Sequence, residues 1–104
     1  MHLFNQWINA GEGNNTINFN GVGAEVWVGD GNDTIRLNNG TNSLVAGSGL
    51  DTITAASGTN TIDAGDDADV ITLSGGNNTL SAGSGNDSIT ANGGNNTIAT
   101  DSGN

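Results

Sequence analysis

The chain has no cysteine, no proline and no lysine, and its only strong base is Arg36. Without cysteine neither a disulfide framework nor a thiolate zinc site can staple so small a chain. Eleven Asp and Glu residues against one Arg give a net charge of −10, which opposes binding to nucleic acid or to an anionic membrane surface and makes cations the natural partners. Four aromatics in 104 residues cannot fill a conventional globular core. The single histidine, His2, stands beside the first residue, so no placed imidazole is available for a hydrolytic triad or a zinc-protease helix, and a non-catalytic protein is expected. Long apolar runs are missing as well. The opening residues Met1 to Ile8 carry no basic start, so the sequence predicts neither a secretory signal peptide nor a membrane insertion; export by another route stays open.

What is present is a period. An aliphatic residue returns every nine positions at Ile8, Ile17, Val26, Ile35, Leu44, Ile53, Ile62, Ile71, Leu80, Ile89 and Ile98. A fixed self-similar period means stacked units, each too small to bury its own apolar face, with the core running as a column through the stack. With Gly11 as the first position, most units follow Gly-x-Gly-x-[Asn/Asp]-[Thr/Ser]-Ile-x-Ala. Glycines at positions one and three and Asn or Asp at position five supply turn conformations. Positions seven and nine then point inward at the strand period of two, while positions six and eight, mostly Thr and Ser, point out. A four-residue strand and five-residue turn, repeated twice, make an 18-residue coil. The expected fold is all-β: a right-handed parallel β-roll or β-solenoid of between five and six coils, with residues 1–10 as an N-terminal cap and first strand and residues 11–104 as a single repeat domain.

The two turns of each coil differ chemically. Position five alternates along the chain as Asp33, Asn42, Asp51, Asn60, Asp69, Asn78, Asp87 and Asn96, so one edge carries carboxylates and the other carboxamides. Carboxylates stacked one coil apart repel by roughly 1 kcal/mol per neighbour in water, and by about 3 to 4 at an effective dielectric of about 20. Arg36 can serve one position at most, so a divalent ion between consecutive turns is the economical counter-charge. Calcium fits best, because it accepts six to eight oxygens, and turns such as Gly29 to Asp33 offer both carboxylate and backbone carbonyl oxygens. On the other edge, Asn42, Asn60, Asn78 and Asn96 can donate to and accept from neighbouring coils, which predicts a structural ladder.

These repeats resemble the RTX (repeat-in-toxin) nonapeptide Gly-Gly-x-Gly-x-Asp-x-U-x, where U is a large aliphatic residue. Gly29, Gly31, Asp33 and Ile35 match it, as do Gly47, Gly49, Asp51 and Ile53, and Gly83, Gly85, Asp87 and Ile89. The leading glycine is replaced by Val28, Ala46 and Ala82. In the turn from Gly65, Asp67 stands where the middle glycine belongs, with Asp66 beside it, while Asp69 and Ile71 keep the pattern. The resemblance implies calcium ions seated between stacked turns and bound by aspartates and peptide carbonyls. Three internal sites would lie between Asp33 and Asp51, Asp51 and Asp69, and Asp69 and Asp87. A weaker fourth would involve Glu12 or Asn15, and the additional charge of Asp66 and Asp67 would strengthen its own turn. It further implies a structural module of a secreted or cell-surface bacterial protein that folds as calcium binds.

Two other functions are open to the sequence. Thr34, Thr52 with Thr54, Thr72, and Ser88 with Thr90 would stand in outward ranks similar to those of ice-binding solenoids, some of which are built on RTX-like rolls, although Asn18, Arg36 and Val70 interrupt them. The final residues Asp101 to Asn104 begin a turn and stop before its fifth position. That suggests either a longer array or head-to-tail self-association into a filament, because a heterologous contact that does not close builds a fibre. At the other end, all four aromatics lie within the first 27 residues, where Phe4, Trp7, Phe19 and Trp27, with Val22, are expected to close the core from below.

Overall fold

The computed structural model describes residues 6–19 and 23–101. Eleven strands and no helix are found among them: β1 Gln6–Gly11, β2 Thr16–Phe19, β3 Gly23–Val28, β4 Thr34–Leu37, β5 Thr41–Val45, β6 Thr52–Ala55, β7 Thr59–Asp63, β8 Val70–Leu73, β9 Asn77–Ser81, β10 Ser88–Ala91 and β11 Asn95–Ala99. Odd and even strands separate into two parallel sheets, ordered β1-β3-β5-β7-β9-β11 and β2-β4-β6-β8-β10. Every coil thus contributes one strand to each sheet, and residues 18 apart pair directly: Ile35 with Ile53, Ile53 with Ile71, Leu44 with Ile62. The body is a flattened β-solenoid of about five turns, 37 × 30 × 21 Å along its principal axes.

The nine-residue aliphatic column is the core. Val26, Ile35, Leu44, Ile53, Ile62, Ile71 and Leu80 are at most 1% exposed, and Leu37, Ala46, Ala55, Ala64, Leu73 and Ala82 are fully enclosed beside them. Burying each Ile or Leu contributes about 1.5–3 kcal/mol. The column opens toward its ends, where Ile8, Ile17 and Ile89 are only partly covered and Ile98 is 41% exposed.

Three local expectations are corrected. The strands of the six-stranded sheet are five or six residues long rather than four, because the residue at position five, Asn in β5, β7, β9 and β11, enters the strand instead of the turn. Inward alternation begins at position five and not seven: Asp33, Asp51 and Asp69, like Asn42, Asn60 and Asn78, are at most 2% exposed. Neither tryptophan closes the lower end. Trp7 is 67% and Trp27 48% exposed, because both occupy outward positions of their strands, Trp7 opposite Glu25 and Trp27 opposite Asn9. Phe19 alone of the expected plug is buried; Phe4 and Val22 lie outside the described residues.

Glycine is required where coils approach most closely. At Gly65, with φ of +97°, a Cβ would come within 1.6 Å of the Gly47 carbonyl oxygen, and at Gly49, with φ of +122°, within 2.1 Å of that of Gly31. Both the conformation and the gap exclude a side chain.

Candidate metal centre

The turns before β4, β6, β8 and β10 stack on one edge. Their position-five side chains form a ladder in which each carboxylate reaches back to the preceding coil. Asn15 N donates to Asp33 Oδ1 at 2.7 Å, Asp33 N to Asp51 Oδ1 at 2.9 Å, Asp51 N to Asp69 Oδ1 at 2.9 Å, and Asp69 N to Asp87 Oδ1 at 3.0 Å. One oxygen of each carboxylate therefore satisfies a buried amide. The other does not: Oδ2 of Asp33, of Asp51 and of Asp69 is buried and has no hydrogen-bond partner.

An unpaired, desolvated carboxylate oxygen is strongly unfavourable. Its effect is visible in the proton affinities. Burial pushes the Asp51 carboxyl up to about 6, against the opposing hydrogen bond from the Asp33 amide and with further repulsion from Asp33 and Asp67. Asp69 is pushed up to about 7, again chiefly by burial; the amide of Asp51 opposes the rise, while Asp51, Asp87 and Asp67 add to it.

Backbone carbonyls run beside this ladder. The distances that glycine Cβ atoms would have from the preceding coil reveal one oxygen column at position one, through Gly11, Gly29, Gly47 and Gly65, and another at position three, through Gly13, Gly31 and Asp67. Asp67 keeps the shape of that turn by adopting φ of +81°, as Gly31, Gly49 and Gly85 do at +127°, +122° and +131°, at a backbone strain of about 1–2 kcal/mol. Its carboxylate turns outward and accepts from Gly49 N at 3.1 Å, while that of Asp66 accepts from Ser84 Oγ at 2.9 Å. The acidic pair thus lies on the outer surface beside the buried ladder, with the Asp67 charge acting on Asp51 and Asp69. Among the described residues no three acidic or histidine side chains converge. An ion on this edge would draw on one or two aspartates and on peptide oxygens, a donor set suited to a hard cation such as calcium.

The opposite edge is complete without an ion. Asn42 Nδ2 donates to Asn60 Oδ1, Asn60 Nδ2 to Asn78 Oδ1, and Asn78 Nδ2 to Asn96 Oδ1, each at 2.9 Å. The same nitrogens donate to the carbonyls of Asn39, Ser57 and Gly75 in their own turns. Among the described residues of this edge only Asn42 Oδ1 is left over.

The outward face of the five-stranded sheet carries the expected hydroxyls in two columns. One runs Thr16, Thr34, Thr52, Val70, Ser88 and the other Asn18, Arg36, Thr54, Thr72, Thr90. Val70 is 49% exposed and divides the first column; Asn18 and Arg36 begin the second. A feature that sequence reasoning missed is the interleaving of acid and serine at position two of the Asp turns, where Ser48 Oγ donates to Asp30 Oδ1 at 2.7 Å and Ser84 Oγ to Asp66 Oδ1 at 2.9 Å. The signal was the alternation Asp30, Ser48, Asp66, Ser84 at 18-residue spacing, which separates Asp30 from Asp66 by two coils.

A two-sheet parallel solenoid with one carboxylate edge and one carboxamide edge defines a class of repeat protein stabilised from its turns as much as from its core. The family model of the RTX calcium-binding nonapeptide repeat matches four copies along the chain, over residues 4–21, 25–53, 37–71 and 72–104. The chain belongs to the RTX calcium-binding nonapeptide repeat family. Neither a curated protein nor a solved structure matches it.

Proposed function

We propose that this chain is a non-catalytic structural module that binds calcium along its Asp edge and is driven to its folded state by that binding. The observation that carries the reading is the row of buried, unpartnered Oδ2 atoms on Asp33, Asp51 and Asp69. Those aspartates, with Asp87 and the peptide oxygens of Gly29, Gly31, Gly47, Gly49, Gly65, Asp67, Gly83 and Gly85, are the proposed ligand set, with ions between successive turns. Bound calcium supplies fixed positive charge where the fold has concentrated negative charge and no cation. In chelator the ladder repels itself and the Gly-rich chain loses order; with calcium the binding energy becomes folding energy. Millimolar calcium outside a bacterial cell would suit such a switch, which places the proposed site of action at the cell surface or in the medium.

The test is circular dichroism of the chelated protein during a calcium titration, with magnesium as control. A gain of strand signal selective for calcium supports coupled folding, whereas a full strand spectrum in chelator that calcium leaves unchanged overturns it.

Head-to-tail self-association is a second reading, favoured by the open ends of the core. Ile98 on β11 is 41% exposed, whereas the interior of the same column is at most 1% exposed, and β1 is the other outermost strand of that sheet among the described residues. Fibres in negative-stain micrographs of the calcium-loaded protein would support it, and a monomer at all concentrations would remove it.

A further inference from the structure

Asn15 occupies position five of the first turn, the place held by aspartate in the four turns stacked after it. Its backbone follows the rule of that edge, since Asn15 N donates to Asp33 Oδ1. Its side chain does what no aspartate can: Nδ2 donates to Gly11 O at 3.0 Å and to Gly13 O at 3.1 Å, spanning the position-one and position-three carbonyls of its own turn. Those oxygens head the two carbonyl columns that continue through Gly29, Gly47 and Gly65 and through Gly31 and Asp67. In the turns of Asp33, Asp51 and Asp69 the amide nitrogen is replaced by Oδ2, an acceptor, and that atom is buried without a partner. Position five thus supplies two N–H donors in the first turn and only acceptors in the next three.

Resting on the calcium reading above, we propose that Asn15 is an ion surrogate: its carboxamide N–H groups take the place of a calcium ion and close the N-terminal end of the carboxylate column without metal. The amide neutralises the carbonyl pair by hydrogen bonding rather than by charge, and adds no carboxylate to repel Asp33. The weaker fourth site expected near Glu12 or Asn15 is therefore absent by design of the turn. On the Asn edge a related device recurs, with Nδ2 of Asn42, Asn60 and Asn78 bridging a carbonyl of its own turn and the amide oxygen of the next coil.

Exchanging amide and carboxylate at position five tests this. Asn15→Asp should raise the calcium stoichiometry, read by isothermal titration calorimetry, by one ion, and should raise the calcium concentration needed for half-folding. Asp33→Asn should lose one ion and show more strand signal in chelator than its parent, because its new Nδ2 would hold Gly29 O and Gly31 O. An unchanged ion count in Asn15→Asp, or an Asp33→Asn protein with no more strand signal in chelator than its parent, overturns the surrogate role. Should the parent bind no calcium at all, the calcium reading itself fails; a parent that binds calcium beside an Asn15→Asp variant with the same ion count condemns the surrogate alone. If Asn15→Asp does not fold even in calcium, the Asp33→Asn result decides.

Discussion

The amide of Asp51 donates to Asp69 Oδ1 at 2.9 Å, while Asp69 Oδ2, on the same carboxylate, is buried with no partner. One side chain thus contributes a hydrogen bond that the fold needs and a charge that the fold cannot satisfy. The balance between these two roles sets how the protein responds to protons and to ions.

The response to pH follows from the sign of the shifts. Asp51 and Asp69 have folded-state values of about 6 and about 7, above the ordinary 3.8. A raised carboxyl value favours the folded state fully below the ordinary value, and that advantage is lost as pH rises through the folded one. In chelator the folded fraction should therefore be higher at pH 5 than at pH 8, falling as pH rises from about 4 to about 7 and levelling off above. In calcium the order should reverse, since protons compete with the ion for the same oxygens. Parallel pH titrations followed by circular dichroism in the two buffers check both halves.

Asp51→Asn with Asp69→Asn removes the two carboxylates that border all three expected internal sites. The double variant should show no calcium-induced change in circular dichroism. It should also stay folded in chelator, because each amide keeps an oxygen to accept from the preceding coil and gains a nitrogen to donate. Calcium-driven folding that persists in this variant would count against the assigned ligands.

Glycine substitutions separate backbone strain from coil contact. Gly11 and Gly65 have φ of +85° and +97°, but a Cβ on Gly11 meets nothing within 4 Å, whereas one on Gly65 would sit 1.6 Å from Gly47 O. Gly11→Ala should lose about 1–2 kcal/mol from the unfavourable conformation alone. Gly65→Ala should lose more than that, as the coils must separate. Urea denaturation in saturating calcium measures the difference.

Core truncations should grade along the solenoid. Ile53→Ala, at a position with no exposure, should lose about 2–5 kcal/mol. Ile98→Ala, in the end coil at 41% exposure, should lose well under half of that. Equal losses would mean that the end coil is covered in solution.

The nine-residue aliphatic period and its 18-residue alternation of Asp and Asn were enough to define the two-sheet solenoid, the 18-residue pairing register and the separation of acid from amide edges. Periodicity of this kind is local and repeats without error, so each coil restates the same information. Tertiary structure decided which way the position-five side chains face. Their inward turn is held by hydrogen bonds between coils that no single nonapeptide contains, from backbone amide to carboxylate on the Asp edge and from carboxamide to carboxamide on the Asn edge. Trp7 and Trp27 stand outside because they fall at positions six and eight of the period, so the strand alternation legible in the sequence, and not hydrophobicity, assigns them. Finally, only stacking could distinguish Asn15 from the aspartates after it: the sequence showed an amide in place of an acid, and the carbonyls of Gly11 and Gly13 showed what that amide holds.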